Sequence, residues 1–228
     1  MSLFAIADTH LSFGTNKPMD TFDGWQNYTD RLCNNWNHLV NKNDYVVIAG
    51  DISWAMNFDQ LYNDFKFINE LNGKKIIIKG NHDYWWNTLT KMNRFIEENA
   101  FNTISIMHNN SIDFDDFSVC GSRGWFFDSE EDQDEKVLNR EVMRIKTSIE
   151  SARHEEKIVF LHYPPITVNE NCEEILSVLK NYGIKNCYYG HLHGAAAKYS
   201  CNDVVDGIKF TLISADRLNF TPMLIKKF

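Results

Sequence analysis

Five short apolar runs in this chain each lead into residues that can bind a metal or move a proton. Leu3–Ala7 is followed by Asp8-Thr9-His10, and Tyr45–Ala49 by Gly50-Asp51. Lys75–Ile78 leads into Gly80-Asn81-His82-Asp83, Ile158–Leu161 into His162, and Cys187–Tyr189 into Gly190-His191-Leu192-His193. The imidazoles of His10, His162, His191 and His193, the carboxylates of Asp8 and Asp51, and the amide oxygen of Asn81 make a mixed nitrogen and oxygen donor set. Such a set suits borderline divalent ions such as Mn, Fe, Zn or Co, with Mn or Fe favoured, rather than an all-oxygen Ca or Mg cage. Seven ligand side chains exceed what one tetrahedral zinc takes up. They suit two ions about 3.5–4 Å apart, the arrangement used for in-line attack on phosphorus. Asp-x-His or Gly-Asp alone is an ordinary turn. The specific signal is the ordered set of five.

The elements that must position these groups form an α/β pattern. The five runs are continuously apolar, as in strands covered on both faces. Between them, Tyr28, Leu32, Trp36, Leu39 and Val40 recur at helical spacing, as do Leu61, Phe65, Ile68 and Leu71. Leu89, Met92, Phe95 and Ile96 repeat the pattern, followed later by Ile175, Val178 and Leu179. Thr103–Met107, Ile112–Phe114 and Phe117–Cys120 read as short antiparallel strands, with Lys198–Cys201, Ile208–Ser214 and Met223–Lys226 as a similar C-terminal group. In open α/β sheets, sites form beyond the carboxyl ends of the strands, so the five motifs should converge. Residues 128–157 open with an acidic cluster and continue as a helical stripe of Leu138, Val142, Ile145, Ile149 and Ala152. That segment is expected as a solvated helix start or a helical lid on a single domain spanning 1–228.

Composition excludes several function classes. With 23 Lys and Arg against 31 Asp and Glu, the net charge is −8, which argues against a nucleic-acid partner bound through its phosphates. No apolar run is long enough to span a membrane, and Leu3–Ala7 is too short and lacks basic flanks for a signal peptide. Five scattered cysteines without a C-x-x-C predict reduced thiols and a cytoplasmic protein.

In family order, the residues from Asp8 to His193 resemble the calcineurin-like metallophosphoesterases. The resemblance implies a four-layer αββα sandwich of two mixed β-sheets flanked by helices, and a dinuclear centre. Carried over, Asp8, His10 and His193 would hold one metal, Asn81, His162 and His191 the other, and Asp51 would bridge. His82 would sit beside the scissile phosphate, with Asp83 orienting it and raising its pKa. An imidazole there can protonate a leaving alkoxide, worth about 10²–10⁴-fold. The chain departs from the Ser/Thr protein phosphatases, which carry an Asp-Arg pair shortly after their Gly-Asp. Here Ile52-Ser53-Trp54-Ala55 follows. It also lacks the tyrosine ligand of purple acid phosphatases and the length of the repair nucleases. What the resemblance leaves is a small bacterial-type phosphohydrolase.

The expected activity is hydrolysis of a small phosphodiester or nucleotide by a metal-bridging hydroxide, with a phosphomonoesterase as the alternative. A non-catalytic metal-binding scaffold is the remote one. Trp54 and Trp125 are candidates to stack on the substrate, and Arg123 to clamp a phosphate oxygen in a fork. A serine hydrolase is a poor rival, because Gly121-Ser122-Arg123-Gly124 is not a nucleophile elbow.

Overall fold

The computed structural model describes residues 1–125 and 135–228. Strands β1 (Ser2–Ile6), β2 (Tyr45–Ala49), β3 (Lys74–Ile78) and β4 (Ile104–Ile106) alternate with helices α1 (Tyr28–Leu39), α2 (Phe58–Glu70) and α3 (Leu89–Glu98). Then come β5 (Ser111–Asp113), β6 (Ser118–Ser122), α4 (Glu135–Glu150), β7 (Lys157–Leu161), α5 (Glu173–Asn181) and β8 (Asn186–Tyr189). Strands β9 (Val204–Val205), β10 (Ile208–Leu212) and β11 (Met223–Lys227) follow.

These strands make two mixed sheets, ordered β11-β1-β2-β3-β4 and β5-β6-β7-β8-β10-β9. Alternate residues of each strand serve different layers. Leu3, Ala5, Val47 and Ile76 of the first sheet pack against Val119, Ile158 and Phe160 of the second. Phe4, Ile6, Val46 and Ile48 turn outward onto Leu32 and Trp36 of α1 and Leu61 and Phe65 of α2. On the far side, Cys120, Val159, Leu161 and Cys187 meet Ile145 and Ile149 of α4 and Ile175 and Leu179 of α5. Both faces of each central strand are therefore covered, which is why their sequences are apolar without alternation. The layers run helix, sheet, sheet, helix, an α/β sandwich.

The parallel register sets the strand ends level. Phe4 pairs with Val46 and Val47 with Ile76 in one sheet, and Val159 pairs with Cys187 in the other. The two sheets touch where Ala7 N donates to Ile213 O and Ala215 N donates to Ala7 O. Every chemistry-bearing loop leaves from that shared edge.

Three local expectations give way to non-local pairing. Lys198–Cys201 is no strand, because Gly194–Tyr199 winds into a 3₁₀ helix. Strand β10 pairs in parallel with β8, whereas β11 crosses to the other sheet beside β1, so the C-terminal segments do not form one group. Strand β6 runs parallel to β7 and antiparallel only to β5, and β4 runs parallel to β3 in the first sheet. Within the expected lid, residues 135–150 form α4, which buries Leu138, Ile145 and Ile149 against the second sheet, and residues 128–134, with most of the acidic cluster, lie outside the described residues. No helix among the described residues is long and apolar enough to cross a membrane. All five cysteines are free thiols.

Candidate metal centre

The loops after β1, β2, β3, β7 and β8 fold over one edge and bring their polar residues together. Among the described residues two donor groups result: Asp8, His10 and Asp51 offer ligand atoms within 4.8 Å of one another, as do Asp51, His162 and His191. Asp51 belongs to both. Asn81 Oδ1 joins the second group, 2.7 Å from His162 Nε2 and 3.1 Å from His191 Nδ1. His193 stands edge-on to His10, 5.1 Å between ring centroids, on the first group's side. His82 lies nearby, its ring 5.8 Å from that of His10 and 4.5 Å from that of Trp54.

Local backbone geometry makes this convergence possible. Asp8, His10, Asp51 and His191 all have positive φ, between 44° and 70°. Side-chain-bearing residues rarely adopt that region, and such strain concentrates at functional sites. Long-range hydrogen bonds hold the turns: Asp8 N donates to Gly50 O and His10 N to Asp51 O. The carboxylate of Asp8 in turn accepts from His191 N at 2.9 Å. Gly80 is required because a Cβ there would lie 2.1 Å from both Asp51 N and Asp51 Oδ1.

The proton positions show what the cluster is built to receive. His162 Nδ1 is 3.1 Å from the Ala49 carbonyl, which only accepts, so Nδ1 carries the proton and Nε2 presents its lone pair. That lone pair faces Asn81 Oδ1 and, at 3.5 Å, Asp51 Oδ1. Among the described residues, both ring nitrogens of the buried His10 lack a hydrogen-bond partner. Burial and the Asp51 charge hold the Asp8 carboxyl well above its usual range, and burial raises Asp51 to about 6. Burial also depresses His162 to about 3 and lowers His10 and His191. Carboxylates and imidazoles are thus driven apart from their ordinary values in the directions that remove charge. A divalent cation offsets both costs, since it favours carboxylate anions and neutral imidazoles together. The donor set therefore fits a metal.

The sequence profile of the calcineurin-like phosphoesterase family matches residues 1–195. The chain belongs to the calcineurin-like phosphoesterases. It is a phosphoric ester hydrolase of a family that depends on divalent metals. Among curated protein sequences none matches it. Its fold is similar to that of phosphopantetheinyl hydrolase from Mycobacterium tuberculosis, at 12% identity and TM-score 0.58, covering 100% of this chain and 96% of the other. A protein of unknown function from Aquifex aeolicus is likewise similar, at 15% identity and TM-score 0.55, covering 98% and 95%.

Two expected roles need correction in this phosphoesterase. Asp83 does not orient the His82 ring. Its Oδ1 accepts from Ile52 N, Ser53 N and Trp85 Nε1, and its Oδ2 from Asp51 N and Gly80 N at 3.0 and 2.7 Å. Five donors make Asp83 a clamp that fastens the Asp51 loop to the Gly80 loop. His82 Nδ1 instead faces the Tyr84 hydroxyl at 3.3 Å, and His82 N donates to Asp51 Oδ1. Trp125 is only 3% exposed and packs in the core under α4 and α5, so it has no face to offer a substrate. Trp54 is half-buried and stacks on His10 at 4.8 Å between centroids. Arg123 is half-buried beside Tyr163, and its carbonyl accepts from His162 N and Tyr163 N.

Three further residues of the phosphoesterase's site escaped the sequence reading. Asp216 Oδ2 accepts from Gly194 N at 2.6 Å and steadies the loop that carries His191 and His193. Its position just beyond the apolar run of β10 was the available signal. Buried Asp64 accepts from Ser53 Oγ and Phe13 N, tying α2 to the loops that carry His10 and Asp51. Tyr28 donates its hydroxyl to His10 O at 2.9 Å. Nothing local in the sequence marks those last two.

Proposed function

We propose that this phosphoesterase is a dinuclear enzyme acting on small phosphodiesters. The observation that carries the reading is the presence of Asp51 in both donor groups, since a shared carboxylate is what two adjacent cations need. Asp8, His10 and His193 would hold one ion, Asn81, His162 and His191 the other, with Asp51 between. When bound, such cations neutralise phosphoryl oxygens and lower the pKa of water at neutral pH. Every other task falls to the chain. The Asp83 clamp fixes Asp51 before a cation arrives, so little reorganisation follows binding. Ala49 O keeps His162 in the tautomer whose Nε2 faces the site. His82 stands next to the donor cluster and would hand a proton from Nε2 to the leaving alkoxide, with Tyr84 holding Nδ1.

Two features favour a diester. No arginine follows Gly50-Asp51 to grip a monoester dianion, and Trp54 and the 51% exposed Tyr84 flank His82 with apolar surface for a second ester group. The test compares an aryl phosphodiester with the matching monoester across Mn, Fe, Zn and Co, alongside metal analysis of the purified chain. Close to two equivalents and a higher kcat/KM for the diester are expected. One equivalent, or a preference for the monoester, refutes the corresponding half of the proposal.

A further inference from the structure

A cavity of about 110 Å³ opens between the loop after β3, the turn after β4, the end of β6 and α4. Lys79, Trp86, His108, Arg123, Glu141 and Arg144 line it. Three basic side chains thus share the cavity with one carboxylate, a local formal charge of +2 in a chain whose net charge is −8. The carboxylate is already engaged. Buried Glu141 accepts from Ser122 Oγ, from Gly124 N at 3.0 Å and from Arg144 Nη1 at 2.9 Å. Among the described residues neither Lys79 nor Arg123 forms an ion pair, and Lys79 lies in the field of both arginines. Like charges held together in a half-buried concavity focus an attractive field on an anion.

The cavity adjoins the metal centre through the backbone. Lys79 is two residues before Asn81, and the Arg123 carbonyl receives the His162 and Tyr163 amides at 3.0 and 2.8 Å. None of the donor residues Asp8, His10, Asp51, His162 and His191 lines the cavity, so an anion held here would be separate from one at the metal centre. Two guanidinium forks and an ammonium suit a tetrahedral oxyanion. The volume holds such a group with a few waters, each of which occupies about 30 Å³.

We propose that this cavity binds a second phosphate group, separate from the one at the metal centre, and that substrates carrying two phosphates are preferred for that reason. The proposal rests on the phosphodiesterase reading only for where the reacting group lies. Its test uses two substrates that differ in one group, thymidine 5′-(p-nitrophenyl phosphate) and the same ester bearing a 3′-phosphate. The full chain should show a KM at least about tenfold lower for the 3′-phosphorylated ester, the scale of one charge-assisted contact. Lys79→Ala and Arg144→Ala should each shrink that ratio severalfold, and Lys79→Arg should restore most of it. A wild-type ratio near one, or a ratio untouched by both alanine variants, overturns the proposal. A second arm needs no turnover: calorimetric titration of the full chain, as purified and after chelation, with thymidine 3′,5′-bisphosphate, thymidine 5′-monophosphate and inorganic phosphate. Tighter binding of the bisphosphate that both alanine variants lose upholds the cavity site even if neither ester is hydrolysed, in which case the phosphodiesterase reading alone fails. Binding of inorganic phosphate that Arg144→Ala abolishes, with the two nucleotides bound alike, overturns the substrate preference and assigns the cavity to free phosphate.

Discussion

Replacing Gly80 by alanine adds one carbon at the most crowded point of the metal centre. Its Cβ would stand 2.1 Å from Asp51 Oδ1 and from Asp51 N. Non-bonded contacts to a Cβ do not fall below 3.0 Å, so one side must move by about 0.9 Å. Gly80 has little room to retreat, since its amide donates to Asp83 Oδ2 at 2.7 Å. Asp51 is the group that moves, and Asp51 serves both donor groups. Metal sites tolerate ligand displacements of only about 0.2 Å, so the shift exceeds the tolerance several times over. Disturbing a group that merely orients a ligand already costs about 10–100-fold in metal affinity, and displacing the ligand itself should cost at least about 100-fold. Overpacking costs about 1–3 kcal/mol, which for a chain of this size lowers Tm by roughly 2–12 °C. Calorimetric titration with Mn measures the first effect and thermal melting of the metal-free chain the second. Gly183→Ala is the control. At φ 65° with open space around its Cβ, it should lose stability and keep metal affinity. Wild-type Mn affinity in Gly80→Ala, within about threefold, would refute the placement of Asp51 as a shared ligand.

Four other outcomes are expected. Asp51→Asn should lose metal at both sites, whereas His193→Ala should chiefly weaken one; elemental analysis after dialysis distinguishes them. His82→Ala should retain metal while kcat falls by about 10²–10⁴-fold with an alkoxide leaving group and by less with nitrophenolate, and equal losses would argue for phosphate binding instead of proton donation. Trp54→Ala should raise KM for an aryl diester more than for the monoester, by about 1–3 kcal/mol of lost stacking, measured by steady-state kinetics. Burial raises the Asp64 carboxyl to about 6, above its unfolded value of about 3.9. The folded chain therefore holds a proton that the unfolded chain has lost between about pH 4 and 6, and this group's contribution to stability declines as pH rises across that window. Asp64→Asn should flatten the dependence of Tm on pH there, and parallel wild-type and variant curves would show that Asp64 titrates normally.

Much of the fold and of the candidate site was legible because the signals are local. Continuous apolar runs in β1, β2, β3, β7 and β8 follow from coverage on both faces, and that coverage shows in residue type alone. The helical stripes of α1 and α2 show in spacing alone. Metal-ligating chemistry is a property of each side chain, and the position of Asp8, Asp51, Asn81, His162 and His191 after strand ends already implied a common edge. Pairing is different in kind. Nothing in Met223–Lys226 states that it lies beside β1, more than two hundred residues away, and nothing in Lys198–Cys201 states that the turn after His193 winds into a 3₁₀ helix. Side-chain direction is equally non-local. Trp125 and Trp54 are the same residue type in similar loops, yet α4 and α5 bury one, whereas the other stays half-buried beside His10. Asp83 looked like a partner for its neighbour His82, but it binds amides from residues 51–53, brought to it because β2 and β3 pair in register. The cationic cavity draws Lys79, Arg123 and Arg144 from three separate elements. Chemical type and periodicity are written along the chain, whereas partners are chosen by the packing of layers whose contacts span its whole length.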